Sequence, residues 1–172
     1  MRLPRVLSPA DLPAPELQAA RLDGQLYAVG AGFSPVDEVE QPRHRAAALR
    51  AGERLIAEQL SAAWVWGALD TPPVRHQFCV AIGARVNRDP GRGTELREVV
   101  ISEAEVAGLD GTLVTTPTRT IVDLARFSSA FDPGVVRRLI GVGASLPDAL
   151  ASLDDRRNLP GKKRAFARLS RC

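Results

Sequence analysis

Arg119, Asp123 and Arg126 have the types and the spacing to do chemistry, since positions i, i+4 and i+7 fall along one face of a helix. A carboxylate flanked by two guanidiniums can serve a site as a charged pair. It can equally brace a corner of the fold, with Arg119 bonding loop carbonyls. The second charged set closes the chain: Arg156, Arg157, Lys162, Lys163, Arg164, Arg168 and Arg171 against Asp154 and Asp155, a balance of +5 over residues 154–172. Residues 1–40 carry Arg2, Arg5 and Arg21 against Asp11, Glu16, Asp23, Asp37, Glu38 and Glu40, a balance of −3. Phosphate contacts are therefore expected from the C-terminal end, where positive potential gathers.

Catalytic constellations are missing from the sequence. It has no Gly-rich phosphate loop, no zinc-ligand spacing, no Gly-x-Ser-x-Gly elbow, and no run of carboxylates with a lysine of the metal-dependent nuclease type. His44 and His76 stand apart from any ligand set, and Ser128-Ser129 matches no nucleophile motif. The expectation is a non-enzyme with no cofactor and no metal. Cys79 and Cys172 suggest no disulfide framework, and with no apolar run of membrane length and no signal-peptide core the expected location is the cytoplasm.

The elements that must position these residues can be read from punctuation and periodicity. The clearest stretch is Gly111 to Phe127: Leu113 and Val114 read as a short strand, Thr116 as an N-cap, and Pro117 as the first residue of a helix with Ile121, Val122, Leu124 and Ala125 on its apolar face. The first forty residues read as a compressed winged helix-turn-helix. It would have a short helix from Ser8 to Leu12, a second from Glu16 to Leu22, and a hairpin of Gln25 to Val29 and Phe33 to Val36. Helices are then predicted over Arg43 to Ala51 and Glu53 to Leu69, the second placing Leu55, Ile56, Leu60, Ala63, Trp64 and Gly67 at helical spacing. Trp64 and Trp66 suit base stacking, and suit anchoring a core better.

Strands follow at His76 to Ile82, with Phe78, Val80 and Ile82 on one side, and at Leu96 to Ile101. Arg85, Arg88 and Arg92 in the intervening loop Gly83 to Thr94 read as a solvated hairpin end, with a phosphate contact as the alternative. Ser102-x-x-Glu105 is a capping box opening a short helix. Further helices are expected over Phe131 to Ile140 and Ser145 to Leu153, and a last one over Lys162 to Leu169 after a turn at Asn158 to Gly161. In that last helix Arg164, Arg168 and Arg171 form a basic stripe, and Ala165, Phe166 and Leu169 an apolar one that argues for docking over a solvated tail. The predicted fold is α+β: a small N-terminal winged-helix-like module, residues 1–40, then a mainly helical domain, residues 41–172, around a three- or four-stranded, mostly antiparallel sheet.

The segment "VTTPTRTIVDLAR" resembles the strand-to-helix signature of the AbiEi family, the antitoxins of type IV toxin-antitoxin systems common in actinobacteria. "LSAAWVWGAL" (Leu60 to Leu69) and "LDDRRNLPGKKRAFARL" (Leu153 to Leu169) are similar to further segments of that family. The resemblance makes Thr116, Pro117, Arg119 and Asp123 the signature of the antitoxin domain. It also implies a transcriptional regulator whose winged helix binds double-stranded DNA at its own promoter. On this sequence the recognition helix would be Pro15 to Asp23 with Gln18, Arg21 and Gln25 facing a groove, and Arg5, Arg156, Arg157, Lys162, Lys163, Arg164 and Arg168 would add backbone contacts. The C-terminal domain would counter a cognate nucleotidyltransferase toxin, functionally and without need of a stable complex. Two alternatives stay open: a solitary DNA-binding regulator with no toxin, and a degenerate protein-interaction module, for which the acidic N-terminus speaks.

Overall fold

The computed structural model describes residues 4–84 and 93–172. Its first element is a turn rather than the predicted short helix at Ser8. The Asp11 carboxylate accepts both the Ser8 N–H at 2.9 Å and its hydroxyl at 2.6 Å, which closes the chain on itself. Helix α1 (Ala14–Leu22) follows, burying only Leu17, and then the hairpin of β1 (Leu26–Val29) and β2 (Gly32–Pro35). Leu7 and Phe33 exchange two backbone bonds of 2.7 and 2.9 Å and extend that hairpin. Gly30 at its turn has φ +55°, and a Cβ there would meet the Trp64 ring at 2.9 Å, so the hairpin packs directly on the following domain.

Helix α2 (Pro42–Leu49) opens on a reciprocal cap, in which Gln41 and His44 satisfy each other's backbone N–H groups. The next stretch departs from the sequence reading. Instead of one helix from Glu53 to Leu69 there is a strand, β3 (Ile56–Ala57), and a shorter helix, α3 (Gln59–Val65). The reason is pairing on both sides. Ile56 lies opposite Cys79 on one neighbour and Leu113 on the other, and left-handed residues Arg54 (φ +69°) and Gln59 (φ +48°) turn the chain in and out. Buried strands read as plain apolar runs, and helical spacing in the sequence does not distinguish them.

Strands β4 (His76–Ala81), β5 (Thr94–Val99), β6 (Val106–Leu109) and β7 (Thr112–Thr115) complete the sheet, in the order β5-β4-β3-β7-β6 among the described residues. The expected α+β class is observed, but the sheet has five strands and is not mostly antiparallel: β4/β5 and β3/β7 run parallel, and β3/β4 and β6/β7 antiparallel. His76 lies beside Thr94 and Ala81 beside Val99, so β4 and β5 run parallel and do not pair as the expected hairpin. Arg85, Arg88 and Arg92, expected to line that hairpin, lie outside the described residues. Of the three residues predicted to share one side, Phe78 and Val80 are buried, but Ile82 is beyond the strand end and 63% exposed.

The capping box at Ser102 and Glu105 forms on a 3₁₀ turn, Glu103–Glu105, and leads into β6. Helix α4 (Pro117–Phe127) then starts where the sequence placed it, with the Thr116 hydroxyl accepting the Arg119 N–H at 3.3 Å. It is followed by α5 (Pro133–Gly141), α6 (Leu146–Asp155) and α7 (Lys162–Leu169). Every residue from Arg119 to Arg126 is buried, because α3, α5, α6 and α7 all pack around α4. One core joins Ile121, Leu124, Leu139, Leu153 and Leu169; a second surrounds Trp64 with Val65, Phe78 and Val114 and takes in Val29 from the N-terminal hairpin.

Candidate functional site

The face of α4 opposite its apolar stripe holds a chain of buried charges. Arg119 Nε donates to Asp123 Oδ2 at 2.8 Å, and its Nη1 reaches Glu105 Oε1 at 2.9 Å and the Val100 carbonyl at 3.3 Å. Arg126 Nη1 donates to the other Asp123 oxygen at 3.3 Å while its Nε holds the Pro160 carbonyl at 3.0 Å. Arg156 Nη2 meets Glu105 Oε1 at 2.5 Å. Both sequence readings of Arg119 thus have a counterpart: it pairs with Asp123, and it bonds a loop carbonyl across the strand-helix corner. Glu105 is the residue that the sequence reading missed as a partner, because its capping role at Ser102 explained it fully.

Burial alone would raise the Glu105 carboxyl. The Ser102 N–H and the guanidiniums of Arg119 and Arg156 overcome that and hold it below the ordinary carboxylate value. Burial also lowers Arg126; Asp123 opposes this, but Arg119, Arg97 and Arg156 crowd it further, so it stays below the usual arginine value.

A second buried pair lies beside the first. Arg97 on β5 donates to both oxygens of Glu58, Nε at 2.6 Å and Nη2 at 2.5 Å, in the fork geometry that suits guanidinium and carboxylate. Burial raises the Glu58 carboxyl above its usual value despite Arg97. The guanidiniums of Arg97 and Arg126 both lie over the Phe127 ring, at 4.0 and 4.3 Å from its centroid. In front of these residues opens a cavity of about 710 Å³, walled by β5 with the segment after it, by α4, and by the α6–α7 connection. Cys79 beneath is fully buried, its thiol pushed far above the usual value by burial and by Glu58 and Asp123, so it is not a nucleophile here.

The C-terminal stripe is docked, and much of its charge is spent inside the protein. Arg164 donates to the Arg126 carbonyl, and Arg168 Nη1 to the carbonyls of Ala125 at 3.1 Å and Ser128 at 2.9 Å, while its guanidinium lies over Phe131. These are the end carbonyls of α4, which have no partner within the helix. Lys162 Nζ donates to the Asp154 carbonyl at 2.8 Å. Arg157 and Lys163 are exposed and flank a shallower depression at the start of α7.

In the N-terminal module Gln18, Arg21 and Gln25 are exposed, with Arg21 Nε on Gln18 Oε1 at 3.1 Å. Arg5 lies 3.7 Å from Glu38, whose other neighbour is the buried His44 Nε2 at 3.0 Å. His76 Nδ1 meets the Ser61 hydroxyl at 3.3 Å, and Trp66 Nε1 donates to the Thr115 carbonyl at 2.8 Å. Trp64 is 2% exposed, in the core. Among the described residues no three His, Cys, Asp or Glu side chains group as metal ligands, and no helix is long and apolar enough to cross a membrane.

A helix-and-hairpin unit leading into a mixed sheet whose second half is wrapped in helices, with a strand-to-helix corner locked by Arg119 and Asp123, defines the class of molecule. The family model of the AbiEi antitoxin C-terminal domain matches residues 56–167, and the chain belongs to that family. Membership supports an antitoxin or regulator role, in a family that is generally non-enzymatic. No curated protein matches the chain. Among solved structures it is similar to the crystal structure of the RV2827C protein from Mycobacterium tuberculosis, with a TM-score of 0.52, 17% identity, and coverage of 98% of this chain and 71% of that one. At that identity the likeness is one of fold.

Proposed function

We propose that this chain is a non-enzymatic AbiEi antitoxin of a type IV system, which represses its own promoter and opposes a nucleotidyltransferase toxin without a stable complex. Family membership over residues 56–167 carries the reading. The exposed face of α1, preceding a hairpin, supports a winged-helix contact with DNA through Gln18, Arg21 and Gln25. For the phosphate backbone we favour Arg157 and Lys163, which are exposed, over Arg164 and Arg168, whose guanidiniums already hold the end of α4. Arg5, Arg156 and Lys162 each already face an acidic or carbonyl partner, so their contribution would be weaker.

The test is a salt-series binding titration on the upstream promoter DNA and on scrambled DNA of equal length. Tighter and more salt-resistant binding to the promoter is expected. Arg157→Glu with Lys163→Glu should weaken both DNAs and flatten the salt dependence by about 0.9 slope units per lost phosphate contact. Equal, weak binding to both DNAs would sink the regulator reading. It would favour the protein-interaction module, which the −3 balance of residues 1–40 already suits.

A further inference from the structure

The cavity in front of α4 combines features that its structural role does not use up. Four guanidiniums, those of Arg97, Arg119, Arg126 and Arg156, share three carboxylates, those of Glu58, Asp123 and Glu105. Asp123 is divided between Arg119 at 2.8 Å and Arg126 at 3.3 Å, and Glu105 between Arg119 at 2.9 Å and Arg156 at 2.5 Å. Glu98, an exposed residue of β5 with an interaction of its own, lines the cavity as well. Among the described residues four guanidiniums and four carboxylates balance, but Glu58 and Asp123 are fully buried and do not line the cavity. The lining itself therefore presents four guanidiniums against Glu98 and Glu105 in a half-buried place, where an uncompensated charge is costly.

Donors remain as well. Glu58 takes Arg97 through Nε and Nη2 and leaves Nη1; Asp123 and Pro160 take Arg126 through Nη1 and Nε and leave Nη2; Glu105 takes only Nη2 of Arg156. All three residues line the one cavity, and Phe127 holds two of the guanidinium planes in place before any ligand arrives. The remaining wall is largely apolar, broken by Glu98, Ser102 and Asn158, with Leu159 partly buried, Ile82 63% exposed and Val100 72% exposed at its rim. About 710 Å³ is the size of a small-molecule site, and polar groups fixed at one end of an apolar pocket are how such sites orient a ligand.

The geometry points to a binding site for a phosphorylated small molecule of mononucleotide size, its phosphate held by Arg97, Arg126 and Arg156 and its ring against Val100, Ile82 and Leu159. Arg126 is held below the usual arginine value by burial first and then by Arg119, Arg97 and Arg156, and an anion beside it would offset both. The site lies on the antitoxin domain and is independent of whether the N-terminal module binds DNA.

The experiment is calorimetric titration of the full chain with adenosine monophosphate, inorganic phosphate and adenosine as separate probes. Adenosine monophosphate should bind more tightly than either part alone, and more weakly as salt rises. Arg156→Gln, which removes a half-exposed guanidinium, should weaken it by roughly ten-fold. Val100→Asp at the exposed rim should do the same without touching the core, while Arg157→Ala, outside the cavity, should leave nucleotide affinity at that of the parent chain. No binding at millimolar ligand would overturn the proposal. So would inorganic phosphate binding as well as the nucleotide, or affinities equal in Arg156→Gln, Val100→Asp and the parent chain. Displacement of the nucleotide by blunt duplex DNA would also overturn it, since the cavity would then be part of a DNA path.

Discussion

Glu105 illustrates what a single residue does in this molecule. It caps Ser102, pairs with Arg119 and Arg156, and so ties the strand region to α4 and to the end of α6. Its carboxyl is held below the ordinary value of 4.5, so the folded state gives up its proton more readily than the unfolded one. The stability this contributes is present above the ordinary value and is lost as pH falls through the folded one. Glu58 has the opposite sign: raised by burial, it takes up a proton in the folded state before the unfolded chain does. The expected outcome for Glu105→Gln is therefore a stability deficit that is constant near neutral pH and shrinks on acidification, since protonated Glu and Gln become alike. Urea unfolding at a series of pH values reads this directly, and a deficit that does not change across the carboxylate range would refute it.

At the scale of elements, the junctions around α4 carry the most constraint. Gly161 opens α7 with φ +77°, and a Cβ built there would come within 3.0 Å of the Arg126 carbonyl. That close approach is what lets Arg164 reach the same carbonyl and Arg168 the ones beside it. Gly161→Ala therefore combines left-handed strain with a backbone contact, and a loss of about 1–3 kcal/mol is expected in chemical denaturation. A loss well under 1 kcal/mol would show that α7 docks without this approach. The hairpin β6–β7 offers a contrast: Asp110 (φ +48°) and Gly111 (φ +83°) form its turn, and that Asp-Gly pair was a readable signal. The sequence reading missed β6 because the capping box pointed to a helix and drew attention from the alternation after it.

For the whole molecule, the N-terminal hairpin and the antitoxin domain share a core. Val29 is buried with Ala46, Trp64 and Val114, and Gly30 lies against the Trp64 ring. A shared core couples the two parts, so a single unfolding transition is expected, with tryptophan fluorescence from Trp64 and Trp66 and far-ultraviolet circular dichroism falling on one curve. Two separated transitions would mean that the hairpin module melts by itself. Such coupling also gives any ligand of the domain a physical route to the helix proposed to meet DNA.

The sequence by itself determined the elements whose signals are local: the Thr116-Pro117 start of α4, the proline-led helices α5 and α6, the N-terminal hairpin, and the amphipathic α7. Caps and turns are satisfied within a few residues, so the types at those positions suffice to specify them. The face of α4 with Arg119, Asp123 and Arg126 was legible for the same reason. Only the tertiary structure decided that Ile56 and Ala57 form a central strand, that β4 and β5 run parallel, and that Arg97 and Glu58 meet across 39 positions. Pairing partners and counter-ions of that kind come from distant parts of the chain and leave no periodic trace. The basic stripe of α7 shows the division within one element: its cations are plain in the sequence, but that Arg164 and Arg168 are spent on the carbonyl end of α4 depends on where that helix end lies in space.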